Sequence, residues 1–119
     1  MTVDRDEVAA LLPLPPATFH ILLALLDEDR HGYAIIQDVE ERTGGELRMS
    51  AGTLYRSIAR MVEQGLISEV AKRRPDDDDA RRRYYRLTAL GNAVARAEMG
   101  RLSDLVRLAR QRGLRPGTT

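Results

Sequence analysis

The sequence SAGTLYRSIARMVEQGLI at residues 50–67, followed closely by RRRYYRLT at residues 81–88, decides the fold of this chain. On a helical wheel of about 100° per residue, the first segment predicts a helix with two unlike faces. One face is apolar and comprises Ala51, Leu54, Ile58, Met61 and Val62. The other face has small residues, a hydroxyl and two arginines, namely Gly52, Ala59, Thr53, Arg56 and Arg60. Low bulk with long hydrogen-bond donors suits the major groove of DNA, although ordinary amphipathic surface helices share the pattern.

A β-hairpin with a long loop is predicted after this helix. Gly65 is placed to end the helix in a left-handed conformation, and strands are predicted at residues 66–72 and 82–87. The polar, proline-containing connection between them suits a solvent-exposed loop. Thr88 is the predicted N-cap of another helix. A helix followed by such a hairpin is typical of the winged helix-turn-helix fold, in which the hairpin is called the wing.

Side-chain alternation in the second strand separates a buried face from an exposed one. Arg83, Tyr85 and Leu87 share one face, and Leu87 leads into the core, so Tyr85 is predicted to be buried beneath the wing. The opposite face carries Arg82, Tyr84 and Arg86, and Tyr84 is therefore the better candidate for the nucleic-acid side.

Three further helices are predicted before residue 50, at residues 4–12, 17–26 and 31–43. The second of these is apolar almost all round, which predicts the central core helix, with Pro16 in its first turn. Glycines at positions 44 and 45 close the third helix. Its inward residues, by helical spacing, are predicted to be Tyr33, Ile36 and Val39.

The helix predicted from Thr88 to residue 111 is long for so small a chain and has two apolar stripes. One is a heptad seam formed by Ala95, Met99, Leu102, Val106 and Ala109. The other comprises Leu90, Val94, Ala97, Leu105 and Leu108. One stripe can pack on the chain's own core, and the seam is then the predicted dimer interface. The alternative is that both stripes fold back on one compact monomer.

Four motifs in register resemble the PadR family of bacterial transcriptional regulators, especially its shorter-tailed branch. They are HGYAI at residues 31–35, SAGTLYRSIARM at 50–61, EQGLI at 63–67 and RRRYYRLTALG at 81–91, and the resemblance spans residues 11–112. It implies a mainly α winged helix-turn-helix fold with a two-stranded β wing and a long C-terminal dimerisation helix. It also implies a homodimeric regulator, a repressor, that binds double-stranded DNA at an inverted repeat. In several members a small-molecule effector lies at the dimer interface.

The helical wheel, the strand alternation and the resemblance together predict how the chain is organised and which residues contact DNA. Residues 1–87 form the winged helix-turn-helix region, residues 88–112 the dimerisation helix and residues 113–119 a tail, within one compact domain. The residues expected in the groove are Ser50, Gly52, Thr53, Tyr55, Arg56 and Arg60. The wing is expected to contribute Arg81, Arg82, Arg83 and Tyr84, through phosphate or minor-groove contacts.

The distribution of charge supports a nucleic-acid partner better than the formal net charge of +1 does. Between residues 48 and 88 there are ten Lys or Arg residues against six Asp or Glu residues, and four of the six are consecutive aspartates at 76–79. Arginine predominates, which favours bidentate contacts. The aspartate run either competes with phosphates for the wing arginines, and so limits non-specific binding, or is a solvated spacer.

Other function classes find little support. The chain lacks cysteine, which excludes a disulfide framework and thiolate metal sites. It has two histidines, of which His20 is expected to pack in a core or interface and His31 to cap or pack at a helix start. Ser50 is expected to be an N-cap rather than a nucleophile. No enzyme, cofactor or metal site is therefore predicted. Without a membrane-length apolar run or signal-peptide pattern, a cytoplasmic protein is expected. The functional alternative is a winged-helix protein–protein interaction module without DNA binding.

Overall fold

The computed structural model describes residues 3–71 and 83–117, which contain five helices and three strands. In chain order they are α1 (Arg5–Ala10), α2 (Pro16–Ala24), β1 (Arg30–His31), α3 (Gly32–Arg42), α4 (Ala51–Glu63), β2 (Ile67–Val70), β3 (Tyr84–Leu87) and α5 (Ala89–Gln111). The strands form one antiparallel sheet in the order β1–β3–β2. The mainly α winged helix-turn-helix with a long C-terminal helix, predicted from the sequence, is therefore confirmed.

The wing hairpin pairs in a register that joins Ile67 to Leu87 and Val70 to Tyr84. The sheet nevertheless has three strands rather than the predicted two, because Arg30 and His31 pair with the outer edge of β3. A strand of two residues is too short to show the alternation by which strands are recognised in a sequence. The four aspartates at residues 76–79, and the ends of the predicted strands next to them, lie outside the described residues.

Local capping explains where α4 and α5 begin and end. The hydroxyls of Ser50 and Thr88 accept hydrogen bonds from the backbone N–H groups of the third helical residues, Thr53 at 3.1 Å and Gly91 at 3.0 Å. At the end of α4, Gly65 has φ of +79°, and the following N–H, of Leu66, donates to a carbonyl five residues back at 2.9 Å. Both predicted N-caps and the predicted glycine C-cap are thus confirmed.

The core lies where α2, α3, α4 and the first turns of α5 meet the sheet. Its fully buried side chains include Ile21, Leu22, Ile35, Val39, Leu54, Met61, Leu66, Ile67 and Val94. Tyr85 is buried beneath the wing, as predicted. Burial, and after it the nearby Glu69 carboxylate, raises the pKa of Tyr85 above its ordinary value, so the phenol remains protonated.

Two helix faces differ from their predictions. Tyr33 is 59% exposed, and Ile35 packs inward instead, because the buried face of α3 follows the helical spacing of Gly32, Ile35 and Val39. On α4, Ala51 and Val62 are exposed, so the apolar face is narrower than the wheel suggests. None of the helices described has the length and apolar character needed to cross a membrane. No group of three or more metal-ligating side chains occurs in the described ranges.

Candidate nucleic-acid interface

The outward face of α4 is open and cationic. Gly52, Arg56, Ala59 and Arg60 are all exposed. A Cβ atom added at Gly52 would meet nothing within 4 Å, so another molecule could approach the backbone closely there. Within residues 3–71 and 83–117, neither Arg56 nor Arg60 forms an ion pair. The structure thus brings together the small residues and long donors that the sequence assigned to one face.

The first turn of α4 is held by a short chain of hydrogen bonds. Ser50 Oγ donates to Thr53 Oγ1 at 3.0 Å and also accepts from the Thr53 backbone N–H. Arg56 Nη2 donates to Thr53 Oγ1 at 3.4 Å, which keeps the guanidinium near the helix N-terminus. The predicted capping role of Ser50 is confirmed, whereas contact of these residues with DNA remains a prediction. An exposed helix N-terminus that carries an arginine is suited to binding a phosphate.

Tyr55 is half exposed, and its ring packs over Gly32 at the start of α3. A Cβ atom at position 32 would lie 2.5 Å from the Tyr55 hydroxyl oxygen and 2.9 Å from Cζ. Position 32 must therefore be glycine as long as Tyr55 stays in place. Sequence reasoning assigned Tyr55 to the groove and missed this contact, although the glycine of the HGY motif was a signal for it. The HGY and GTLY motifs are the two sides of one helix–helix contact.

The wing residues within the described ranges differ in how far they are already engaged. Arg83 is exposed and forms an ion pair with Glu69 across the hairpin at 3.7 Å, a solvent-exposed interaction that contributes little. Tyr84 is partly buried, and its ring meets the His31 ring edge to face, with centroids 5.4 Å apart and planes at 85°. Arg81 and Arg82 lie outside the described residues.

Arg86 fastens β3 to the turn before β1. Its Nε donates to Asp29 Oδ1 at 3.2 Å and its Nη2 to Oδ2 at 2.9 Å, a bidentate contact. The hydrogen bond to Asp29 raises the pKa of Arg86 above its ordinary value. The sequence placed Arg86 beside Tyr84 on the possible nucleic-acid side. In the structure, this guanidinium holds the wing against the helical body.

The seam on α5 is divided between the core and the surface. Ala95 is buried in the chain's own core, which differs from its predicted place at an interface with a partner. Beyond it, Met99, Leu102 and Val106 are 63%, 38% and 52% exposed, and Ala109 is partly exposed. Ala95 lies in the part of α5 that the rest of the chain covers, since the buried residues of this helix end at Glu98. Met99, Leu102 and Val106 line, together with Phe19, a mainly apolar groove of about 630 Å³.

Glu98 marks the boundary between the packed and the exposed halves of α5. Its buried carboxylate accepts hydrogen bonds from Arg101 Nε at 2.6 Å, from Arg101 Nη2 at 3.0 Å and from the Leu14 N–H at 3.3 Å. The bond to Arg101 is the main cause that holds the pKa of Glu98 below its ordinary value. Residues 99–111 of α5 are termed the distal half below, and residues 89–98 the proximal half.

Comparison with known proteins agrees with this architecture. The transcriptional regulator PadR-like family matches residues 21–97. Uncharacterized protein X of Lysinibacillus sphaericus is 34% identical over 94 residues, or 73% of this chain and 72% of that protein. A PadR family transcription regulator from Clostridium difficile R20291 has a TM-score of 0.69 at 26% identity, over 79% of this chain and 94% of its own. Bacillus subtilis PadR in complex with operator DNA has a TM-score of 0.61 at 18% identity, over 71% of this chain and 48% of its own, which shows the fold alone.

Proposed function

This chain belongs to the transcriptional regulator PadR-like family, and we propose that it represses transcription by binding an inverted-repeat operator in double-stranded DNA as a homodimer. The observation that carries this proposal is the outward face of α4. Gly52 leaves the backbone open there, while Arg56 and Arg60 project from the same surface without ionic partners in the described ranges. A guanidinium without an ionic partner, on a helix face of small side chains, can form two hydrogen bonds to a guanine edge in the major groove.

The proposed groove contacts divide into those that position the helix and those that recognise bases. Ser50 and Thr53 lie at the N-terminus of α4, where the backbone dipole favours a phosphate. Arg56 and Arg60 lie one turn apart further along α4 and are the proposed base-reading residues. Tyr55, held over Gly32, would contact the DNA backbone at the edge of the groove.

The wing would flank the groove and add contacts that do not depend on sequence. Arg83 is available because its pairing with Glu69 is solvent-exposed and weak. Arg81 and Arg82 precede it in the chain, and Tyr84, the first residue of β3, follows it. Phosphate contacts of this kind fix orientation and supply salt-dependent affinity.

Dimerisation is proposed through the distal half of α5. Met99, Leu102 and Val106 expose apolar area that water disfavours, and a second copy of the same helix would cover it. Full burial is worth about 1.5–3 kcal/mol for each large apolar side chain. Because Ala95 is occupied by the chain's own core, the proposed interface begins at Met99 and runs to Ala109. Two-fold symmetry would then place the two α4 helices about 34–36 Å apart, in successive major grooves.

The groove between Phe19 and the distal half of α5 is the proposed place for a small apolar effector. Its volume of about 630 Å³ lies within the range of about 300–1,000 Å³ that is usual for small-molecule sites. The second copy would complete its wall, so a ligand bound there could change the angle between the two α5 helices. Ligand binding would thereby alter the spacing of the α4 helices on the operator.

Selection of operator sequences from a random duplex library, followed by salt titrations, tests the DNA-binding proposal. We expect an inverted repeat to be enriched and to bind about a thousandfold or more tightly than scrambled DNA. The logarithm of the affinity should fall linearly and steeply with the logarithm of salt concentration. Absence of binding to any duplex at low salt would leave the protein-interaction module as the function. A reporter gene placed behind the selected operator tests the sign of regulation: repression is expected, and activation would contradict it.

A further inference from the structure

One residue, His31, belongs both to the sheet and to the helix that supports α4. It is the last residue of β1 and pairs across the sheet with Tyr84. It is also the N-cap of α3, where its Nδ1 accepts a hydrogen bond from the Ala34 backbone N–H at 3.1 Å. The next residue, Gly32, is the one on which Tyr55 of α4 packs. His31 therefore stands between the wing and the helix with the open cationic face.

The capping bond requires one protonation state. Nδ1 can accept a hydrogen bond only while it carries no proton, so the ring must be neutral with its proton on Nε2. Protonation would turn Nδ1 into a donor that faces another donor, the Ala34 N–H, and the cap would be lost. It would also place a positive charge at the N-terminus of α3, where the helix dipole is itself positive.

Among the described residues, two carboxylates and two guanidinium groups lie around His31, and the capping bond gives the expected pH effect its sign. They are Glu28, Asp29, Arg30 and Arg86, from the preceding turn, β1 and β3, and the Tyr84 ring meets the imidazole edge to face. Arg30 Nη2 lies 3.2 Å from a Glu28 oxygen, and Arg86 forms its bidentate contact with Asp29. Each carboxylate thus already has a guanidinium partner before an imidazolium could attract it.

We propose that His31 is a positioning residue for the DNA interface, and that its protonation weakens operator binding. In its neutral form it holds the start of α3, and through Gly32 the Tyr55 side of α4, in a fixed relation to Tyr84 in the wing. When protonated, it releases the cap and loosens that relation. The inference rests on the proposed DNA binding and adds a pH dependence to it.

The sign of this effect separates it from the general electrostatic effect of acidification. Added positive charge on a DNA-binding protein tightens its binding to the polyanion. Loss of the His31 cap predicts the opposite, weaker binding as the pH falls through the histidine range, about pH 6.5. The chain has two histidines, so replacement of His20 serves as an internal control for an imidazole that does not cap α3.

The experiment measures operator affinity at roughly pH 7.5 and pH 5.5 at constant ionic strength, for the full chain and three variants. His31→Asn keeps a side-chain oxygen that can cap α3 but does not titrate, His31→Ala removes the cap, and His20→Asn removes the other imidazole. We expect the unmodified protein and His20→Asn to lose about fivefold in affinity at the lower pH. His31→Asn should bind almost equally at both pH values, and His31→Ala should bind weakly at both. Circular dichroism at each pH confirms that the chains remain folded.

Two results would overturn the inference. One is a His31→Asn variant that follows the same pH dependence as the unmodified chain, and the other is tighter binding of the unmodified chain at low pH. Operator binding at about pH 7.5 that does not change on acidification removes the role of His31 but leaves the proposed function standing. Absence of operator binding by every variant at both pH values removes both.

Discussion

Helix α4 and the distal half of α5 leave chemically opposite surfaces outside the same small core. On α4, Leu54, Ile58 and Met61 are buried, and the exposed face carries Arg56 and Arg60. On α5, the proximal half supplies Val94 and Ala95 to the core, and the distal half exposes an apolar stripe. Both helices have one packed face, but α4 is packed along its whole length and α5 over only its first half.

This difference indicates the kind of partner that each surface is suited to. Exposed arginines are well solvated, so the α4 face is stable in water without a partner and can bind a polyanion reversibly. Exposed apolar area costs about 25 cal/mol for each Å² that water must cover, so the distal half of α5 gains from permanent burial. One surface is suited to a reversible partner such as DNA and the other to a second copy of the chain. A dimer formed through the distal half of α5 would align two copies of the α4 face.

The largest effect is expected from a charge placed in the apolar surface. Leu102→Glu would bring two carboxylates together near the two-fold axis of the proposed dimer, where burial of an unpaired charge is unfavourable. We expect monomers that keep their helical circular dichroism, because Leu102 takes no part in the core. A monomer fills one half-site and should lose about a hundredfold or more in operator affinity. Analytical ultracentrifugation and binding titrations measure the two effects.

Leu108→Glu is the matched control for this change. Leu108 is 43% exposed, similar to Leu102 at 38%, but lies on the other stripe of the same helix. It should remain dimeric and bind the operator normally. A Leu102→Glu protein that stays dimeric would place the interface elsewhere. Global unfolding of that variant would mean that the seam packs within one chain.

The next largest effect is expected on the cationic surface. Arg56→Ala or Arg60→Ala should cost about 1–3 kcal/mol on the operator if the residue contacts a guanine, with relaxed preference at that base. Arg96→Ala is the control, because Arg96 is also exposed but lies on α5 and donates to Asn92. Arg83→Ala, in the wing, should weaken binding to all DNA and reduce the salt slope by about one unit. Equal losses on operator and random DNA from the α4 variants would show that this face does not read bases.

Features that depend on neighbouring residues in the sequence could be predicted well. The caps at Ser50 and Thr88 and the left-handed Gly65 are decided by a few residues each, and the structure has all three. The buried Tyr85 followed from simple alternation in a strand. The same reasoning fails where a distant residue decides. Tyr33 points outward, and the face of α3 that is buried instead carries Gly32, which packs against the distant Tyr55.

In the candidate site too, features carried by one helix could be predicted, and features that need a distant partner could not. One helical wheel was enough to group Gly52, Arg56 and Arg60, because a single element carries them. The role of Arg86 could not be found in this way, since its partner Asp29 lies more than 50 residues away. For His31, the predicted cap at the start of α3 is confirmed, whereas its ring contact with the distant Tyr84 could not be predicted. Ala95 fits the heptad seam by spacing, and only the packing of α5 on the body shows that it is already buried.

A smaller effect is expected at the boundary within α5. Glu98→Gln removes the charge that Arg101 and the Leu14 N–H stabilise, and should lower the free energy of unfolding at neutral pH by about 1–2 kcal/mol. Because the folded pKa of Glu98 is lowered, its contribution is complete above the unfolded value of about 4.3 and is lost as pH falls through the folded value. The stability difference between the two proteins should therefore shrink on acidification below about pH 4.3. Chemical denaturation at a series of pH values measures it, and a constant difference would exclude an ionised Glu98.

The smallest effect is expected at Gly52, where fold stability and DNA affinity should change in opposite directions. An added methyl group meets nothing within 4 Å, and alanine favours a helix over glycine by about 0.5–1 kcal/mol, so Gly52→Ala should stabilise the fold by that amount. The same methyl group would stand between α4 and the groove and should weaken operator binding a few-fold. Gly32→Ala is the matched contrast: its methyl group would meet the Tyr55 hydroxyl at 2.5 Å, so it should destabilise the fold. Thermal unfolding and operator titrations of both variants decide the matter. A Gly52→Ala protein that is more stable and binds the operator unchanged would place the DNA away from the first turn of α4.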